Sequence, residues 1–162
     1  MIKRLAIIPA RSGSVRIKNK NIKLFNKKPV IYYTLEICKK SRMFKKIHVS
    51  TDSKKIKKVV EKKGFSVEFL RLKKLSQKNV PLIDVAKYVA KEYKKRNLIF
   101  DQIWVFSSCA PLLKLKDLKK AEKVFNQLNQ DRIVIPVSEY NAPIEWAFTI
   151  KKNKLNHFLK NQ

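Results

Sequence analysis

With 162 residues and 44% apolar side chains, the chain is long enough to bury one core. Two glycines and six prolines leave no low-complexity linker, no apolar run reaches membrane-spanning length, and the distant Cys38 and Cys109 exclude a disulfide framework and point to a reduced, cytoplasmic protein. The charge of +27 comes from lysines scattered among many Ile and Asn, so it reads as coding bias rather than a nucleic-acid-binding stripe, although its field attracts phosphorylated ligands either way.

Leu5 to Pro9 is a short apolar run closed by proline, and it predicts a buried first strand. Residues 10–23 follow as a loop of small and basic residues. Pro29 then opens a helical pattern with Ile31, Leu35 and Cys38 on one face, proline being favourable at a first helical position. Ile47 to Thr51 predicts the second strand, with His48 inside it as a structural residue. Asp52 or Ser53 caps the next helix, whose apolar face is Ile56, Val59 and Val60 and whose end is Gly64. Asp52 could touch a metal or a ribose, but a capping role accounts for it. The lysines from Lys54 to Lys58 read as that helix's solvated face.

Ser66 to Leu70 predicts a third strand, and a helix after Pro81 places Val85, Ala86, Val89, Ala90 and Tyr93 at helical spacing. Gln102 to Ser107 is a strongly apolar strand. Leu115 or Asp117 begins a helix with Leu118, Ala121, Phe125 and Leu128 inward. Ile133 to Val137 predicts a further strand. Tyr140 to Trp146 forms a loop over a ligand or packs on the sheet, and Phe148–Ile150 with Leu155–Leu159 predicts a hairpin around Lys152-Asn153. Strands alternating with helices about five times argue for a mostly parallel sheet covered on both faces, an α/β fold. Ligands of such sheets bind beyond the carboxyl ends of the strands.

The loop after the first strand carries most of the chemistry. It runs Ile8-Pro9-Ala10-Arg11-Ser12-Gly13-Ser14-Val15-Arg16-Ile17-Lys18-Asn19-Lys20-Asn21. Ser-Gly-Ser lets a backbone approach a ligand closely, and successive N–H groups in such a turn form an anion nest. Arg11 adds a planar bidentate donor, while Lys18 and Lys20 add point charges. This suits a triphosphate. The loop is neither a Walker loop nor a dinucleotide fingerprint, and by composition alone it is equally well a solvated basic loop.

The string from Ile8 to Asn21 resembles the opening motif of the acylneuraminate cytidylyltransferases, which make CMP-sialic, CMP-pseudaminic and CMP-legionaminic acids. The resemblance continues through Lys28-Pro29-Val30-Ile31, the stretch from Phe44 to Ser53 with its Ser-Thr-Asp turn, Phe69-Leu70-Arg71, and Ser107-Ser108-Cys109-Ala110-Pro111-Leu112. It covers nearly the whole chain in order. It implies a Rossmann-like three-layer sandwich of the nucleotide-diphospho-sugar transferase type. It also implies CMP transfer from CTP to the 2-hydroxyl of a nine-carbon 2-keto sugar acid with release of pyrophosphate, Mg²⁺ on the phosphates, and a homodimer. Carried over by motif, Arg11 and Lys20 would be catalytic. Arg11, Ser12, Gly13, Ser14, Lys20, Asn21 and Arg71 would bind nucleotide, and Ser107, Ser108 and Ala110 would border the sugar.

The chain departs from the family at several points. Val15 replaces a common lysine, Leu72 replaces the proline after Arg71, and Gln77-Lys78-Asn79-Val80 replaces an Asp-Xaa-Thr-Ser type segment. Ser107 stands where sialic acid enzymes carry Gln, which favours a pseudaminic- or legionaminic-type sugar. No Asp-Xaa-Asp occurs, so the metal-binding acid pair of the family's later segment is not supplied here. The chain thus reads as one nucleotidyltransferase domain, 1–162, without the family's C-terminal part. The alternatives are an inactive nucleotide- or partner-binding remnant and, on charge alone, a nucleic-acid-binding module.

Overall fold

The computed structural model describes residues 2–14, 16–128, 133–139, 147–151 and 154–157. In chain order the elements are β1 (Arg4–Pro9), β2 (Leu24–Phe25), β3 (Lys28–Pro29), α1 (Ile31–Ser41), β4 (Lys46–Ser50), α2 (Lys54–Lys62), α3 (Leu82–Lys94), β5 (Gln102–Val105), α4 (Leu115–Gln127), β6 (Phe148–Lys151) and β7 (Lys154–His157). The chain divides into two compact units, residues 1–120 and 121–162.

In the first unit β1 is the central strand. It pairs in parallel with β4 on one edge and β5 on the other, with Ala6 opposite both Ile47 and Trp104. Leu5 to Ile8 are fully buried, and Leu5, Ile7 and Ile8 each contribute about 1.5–3 kcal/mol through removal from water. Their alternation sends them to opposite faces. Ala6 and Ile8 join Val49 and pack against Ile31, Leu35 and Cys38 of α1 and Ile56 and Val60 of α2. Leu5 and Ile7 pack against Ala86, Val89 and Tyr93 of α3. Helices therefore cover both faces of a parallel sheet, as the alternation of elements predicts.

Several local expectations are corrected. The segment Ser66 to Leu70 buries Val67 among the side chains facing α1 and α2 and packs Phe69 on those facing α3, but it forms no ladder. It is held by side chains instead, and the backbone next meets β4's end where Arg71 N–H donates to Thr51 C=O at 2.7 Å. Residues Ile133 to Val137 form no strand; Ile133, Ile135 and Val137 are exposed and the run has no ladder partner among the described residues. Pro29 does not open α1. It belongs to β3, opposite Leu24, and the helix starts at Ile31. Asp52 is not the cap of α2. Ser53 is, its Oγ accepting Ile56 N–H at 3.3 Å. Gly64 takes a φ of 83° just past the helix, the left-handed position that ends helices with a glycine. In the second unit β6 and β7 pair antiparallel, with Phe148 opposite His157 and Lys151 opposite Lys154. The predicted loop at 140–146 and turn at 152–153 lie outside the described residues.

His48 is structural, as its place in the second strand suggests. It is fully buried, stacks on Phe69 at 4.4 Å between ring centroids, and its Nδ1 lies 3.0 Å from the Tyr93 hydroxyl. Burial, helped by the nearby charges of Lys46, Arg71 and Arg96, pushes its pKa from the ordinary 6.5 down to about 3. The neutral ring therefore suits the fold. Above the ordinary pKa His48 imposes no pH dependence. Below it the unfolded chain takes up a proton that the folded chain refuses, so stability falls until the folded ring titrates. Between pH 7 and about pH 5 this costs about 2 kcal/mol. Urea unfolding at the two pH values measures it, and His48→Leu flattens the difference.

Candidate functional site

Three parallel strands end at the same edge of the sheet, so the loops leaving β1, β4 and β5 meet there. Backbone bonds continue the ladders into these loops: Ala10 N–H donates to Ser50 C=O and Phe106 N–H to Ile7 C=O, both at 2.9 Å. The loops after β1 and β5, with the segment from Arg71 into α3, enclose a cleft of about 680 Å³. Arg11, Lys20, Asn21, Arg71, Ser107 and Ser108 contribute to its lining.

The loops are tied together by a buried amide. A short 3-10 turn over Lys20–Ile22, entered through Asn19 in the left-handed conformation, directs Asn21 inward. Its Nδ2 donates to Arg11 C=O at 2.9 Å, and its Oδ1 accepts the Ser108 hydroxyl at 2.8 Å. One side chain thus fixes the distance between the loop after β1 and the loop after β5. Thr34 of α1 adds a second tie, its hydroxyl donating to Ser107 C=O at 2.9 Å. Cys109 Sγ rests 3.6 Å from Asn21 Oδ1 and takes part in this packing.

Arg71 is buried, and its Nε donates to Ser50 Oγ at 3.0 Å while Nη2 donates to Ser50 C=O. Burial lowers its pKa; the negative charge of Asp52 works the other way, and the positive charge of Arg11 adds to the lowering. Two guanidinium groups therefore share one cleft, with Asp52 as the nearby opposite charge. Asp52 accepts Ser12 N–H at 2.8 Å and the Ser12 hydroxyl at 2.7 Å. At Gly13, a Cβ would stand 3.1 Å from Arg11 Nη1. The small residue leaves room for the arginine side chain, where the sequence suggests room for a ligand.

The cleft lining includes Arg11, Ser14, Lys20, Asn21, Arg71, Ser107 and Ser108 of the sequence-predicted set. Ser12, Gly13 and Ala110 lie outside it: Ser12 meets Asp52, Gly13 lies beside Arg11, and Ala110 C=O accepts Leu113 N–H at 3.2 Å. The structure adds Arg16 and Lys78 to the cations, and Ile17, Leu75, Val80 and Phe106 as an apolar wall. Arg16 and Ile17 fall inside the loop string after β1, whereas no motif marks Leu75, Lys78, Val80 and Phe106, which come from two further segments. Ser50 and Thr34 were also missed, their role being to orient other side chains. Among the described residues the lining contains no carboxylate, and no cluster of three His, Cys, Asp or Glu side chains could hold a metal. These residues do not fit a directly ligated Mg²⁺. Among the described residues, no helix is long and apolar enough to cross a membrane.

The amide knot is testable by stability. Asn21→Ala leaves the Arg11 carbonyl and the Ser108 hydroxyl without their partner, at a cost of about 1–3 kcal/mol. Asn21→Asp keeps an acceptor for Ser108 but faces the Arg11 carbonyl with an oxygen, and destabilises at least as much. Chemical denaturation measures both.

Residues 5–160 match the family model for cytidylyltransferases. The pseudaminic acid cytidylyltransferase of Campylobacter jejuni is 36% identical over 152 residues, covering 94% of this chain and 65% of that protein. The CMP-N,N'-diacetyllegionaminic acid synthase of Legionella pneumophila is 30% identical over 146 residues, covering 90% of this chain and 62% of that protein. A solved cytidylyltransferase from Leptospira borgpetersenii shares the fold with a TM-score of 0.61 and 25% identity, over 82% of this chain and 52% of that one. The chain thus spans somewhat under two thirds of the length of these curated relatives. With the family model matched along almost its whole length, and a cationic cleft at the carboxyl edge of a parallel sheet, this chain belongs to the cytidylyltransferase family.

Proposed function

We propose that this chain transfers CMP from CTP to a nonulosonic sugar acid, of the pseudaminic or legionaminic class, and releases pyrophosphate. The cleft is the observation that carries the reading: Arg11, Arg16, Lys20, Arg71 and Lys78 bring positive charge to a site flanked by apolar Ile17, Val80 and Phe106. A triphosphate suits the cations and a base or sugar face suits the apolar wall. The relatives named above act on pseudaminic and legionaminic acids, and Ser107 at the cleft agrees with that class.

In this reading the sugar 2-hydroxyl oxygen bonds to the α-phosphorus of CTP and releases its proton to solvent. The bond from that phosphorus to the bridging oxygen breaks, and the pair stays with departing pyrophosphate. Arg11 and Lys20 hold the triphosphate and stabilise the charge that grows on the leaving oxygens, without reorganisation during the step. Arg71, braced on Ser50, contributes a further fixed positive charge. Ser107 and Ser108 border the acceptor sugar. Mg²⁺ would enter as a companion of the phosphates, coordinated by their oxygens and water, and would supply charge neutralisation there. A homodimer and a cytoplasmic setting, with Cys38 and Cys109 as free thiols, belong to the same reading.

Thermal-shift titration with CTP, ATP and GTP at moderate salt tests it. A ligand at a hundredfold excess over its Kd stabilises the fold by about 2.7 kcal/mol, a shift of several degrees. The expected result is a shift selective for CTP that Arg11→Ala removes. Equal shifts with all three triphosphates would show only the attraction of a cationic protein for phosphate.

A further inference from the structure

Asp52 follows β4 directly, yet it leaves the capping of α2 to Ser53. Both its carboxylate oxygens are committed to a single residue in another loop, Oδ1 to the Ser12 N–H and Oδ2 to the Ser12 hydroxyl. A two-point contact to a carboxylate fixes orientation as well as position. Ser12 itself is not part of the cleft lining, but its neighbours Arg11 and Ser14 are. Its C=O also accepts Ser14 N–H at 2.9 Å, which folds the Ser-Gly-Ser turn back on the clamped residue. Ser12 and Gly13 are exposed, so little apolar packing holds this turn. The loop is gripped at two adjacent places, the Arg11 carbonyl by Asn21 and Ser12 by Asp52.

We propose that Asp52 is the positioning residue of the triphosphate loop, acting through Ser12 to hold Arg11 and Ser14 where they receive phosphate. This rests on the CTP reading above and deepens it. Asp52 touches no substrate in this role. Its charge also lies close enough to Arg71 to offset part of the repulsion from Arg11.

The test uses Asp52→Ala, Asp52→Asn, Ser12→Ala and the double variant Ser12→Ala/Asp52→Ala. Amide exchange of the ligand-free protein by NMR comes first. Asp52→Ala speeds Ser12 N–H exchange by about tenfold or more, whereas Asp52→Asn, which keeps the Oδ1 acceptor, stays within about threefold of wild type. Calorimetric titrations with CTP and with inorganic tripolyphosphate follow. Asp52→Ala weakens both ligands by about tenfold, Asp52→Asn recovers most of the affinity, and the double variant is no weaker than Asp52→Ala because both changes break one contact. Unchanged Ser12 exchange in Asp52→Ala, wild-type affinity in that variant, or additive losses in the double variant would each overturn the proposal. Wild-type protein that takes tripolyphosphate but not CTP overturns the nucleotide reading alone, with the variants still judged on tripolyphosphate. Wild-type protein that takes neither overturns both.

Discussion

The parallel placement of β1 between β4 and β5 is the constraint on which the site depends. Strands that run the same way deliver their following loops to one edge, and here those loops carry Arg11, Asp52 and Ser107. Burial of Leu5 to Ile8 between helices on both faces makes this arrangement costly to disturb. The two ladder bonds that run past the strand ends, at Ala10 and Phe106, carry its rigidity into the loops. A site built this way needs no long-range closure to bring its parts together; the sheet does so when it forms.

Much of this frame is legible in the sequence because it rests on local signals. The apolar runs at Leu5–Pro9, Ile47–Thr51 and Gln102–Ser107 announce β1, β4 and β5, the last ending two residues sooner than its run, at Val105. The helical spacing of Val85, Ala86, Val89 and Tyr93 announces α3. The hairpin of β2 and β3 is not legible. Its strands are two residues long, too short for periodicity, and its turn places Asn26 and Lys27 both at positive φ, where a lysine gives no warning. Segment 66–70 shows the opposite failure: it has a strand's apolar content without a strand's hydrogen bonds, because Val67 and Phe69 are retained by core and ring contacts in two different clusters. Apolar content reports which side chains go inward, and in this case that was all it reported.

The site was legible to a similar depth. Composition picks out the residues that would touch phosphate, since Arg, Lys and small residues after a strand are chemically suited to it. It does not reveal what aims them. Asp and Ser have nearly equal preference for a helix cap, so Asp52 beside Ser53 is a natural choice for one. Only the parallel pairing of β1 with β4 shows that Asp52 faces Ser12 instead. Asn21 presents the same problem. Its amide looks like a ligand contact in the loop string, yet in the fold Nδ2 meets Arg11 C=O and Oδ1 meets Ser108. Residues that orient others depend on separations that a sequence motif does not encode.

The use of the few acids explains how so basic a chain keeps a specific cationic cleft. Carboxylates are spent on particular neighbours: Glu36 between Lys28 and Lys63, Glu68 on Lys46, Glu92 on Lys95 and Arg96, and Asp117 on the Lys114 N–H at the start of α4. Lysines paired in this way shed part of their field. Among the described residues the cleft lining holds no carboxylate, and Asp52, the charge that most affects Arg71 after burial itself, has both oxygens occupied by Ser12. Asp52 offsets the repulsion that Arg11 exerts on Arg71, so the buried guanidinium stays charged while its burial still disfavours that charge. A triphosphate gains from this twice, through attraction to each guanidinium and through the positive charge that burial of Arg71 leaves poorly solvated, which a single surface lysine among the many on this chain does not offer.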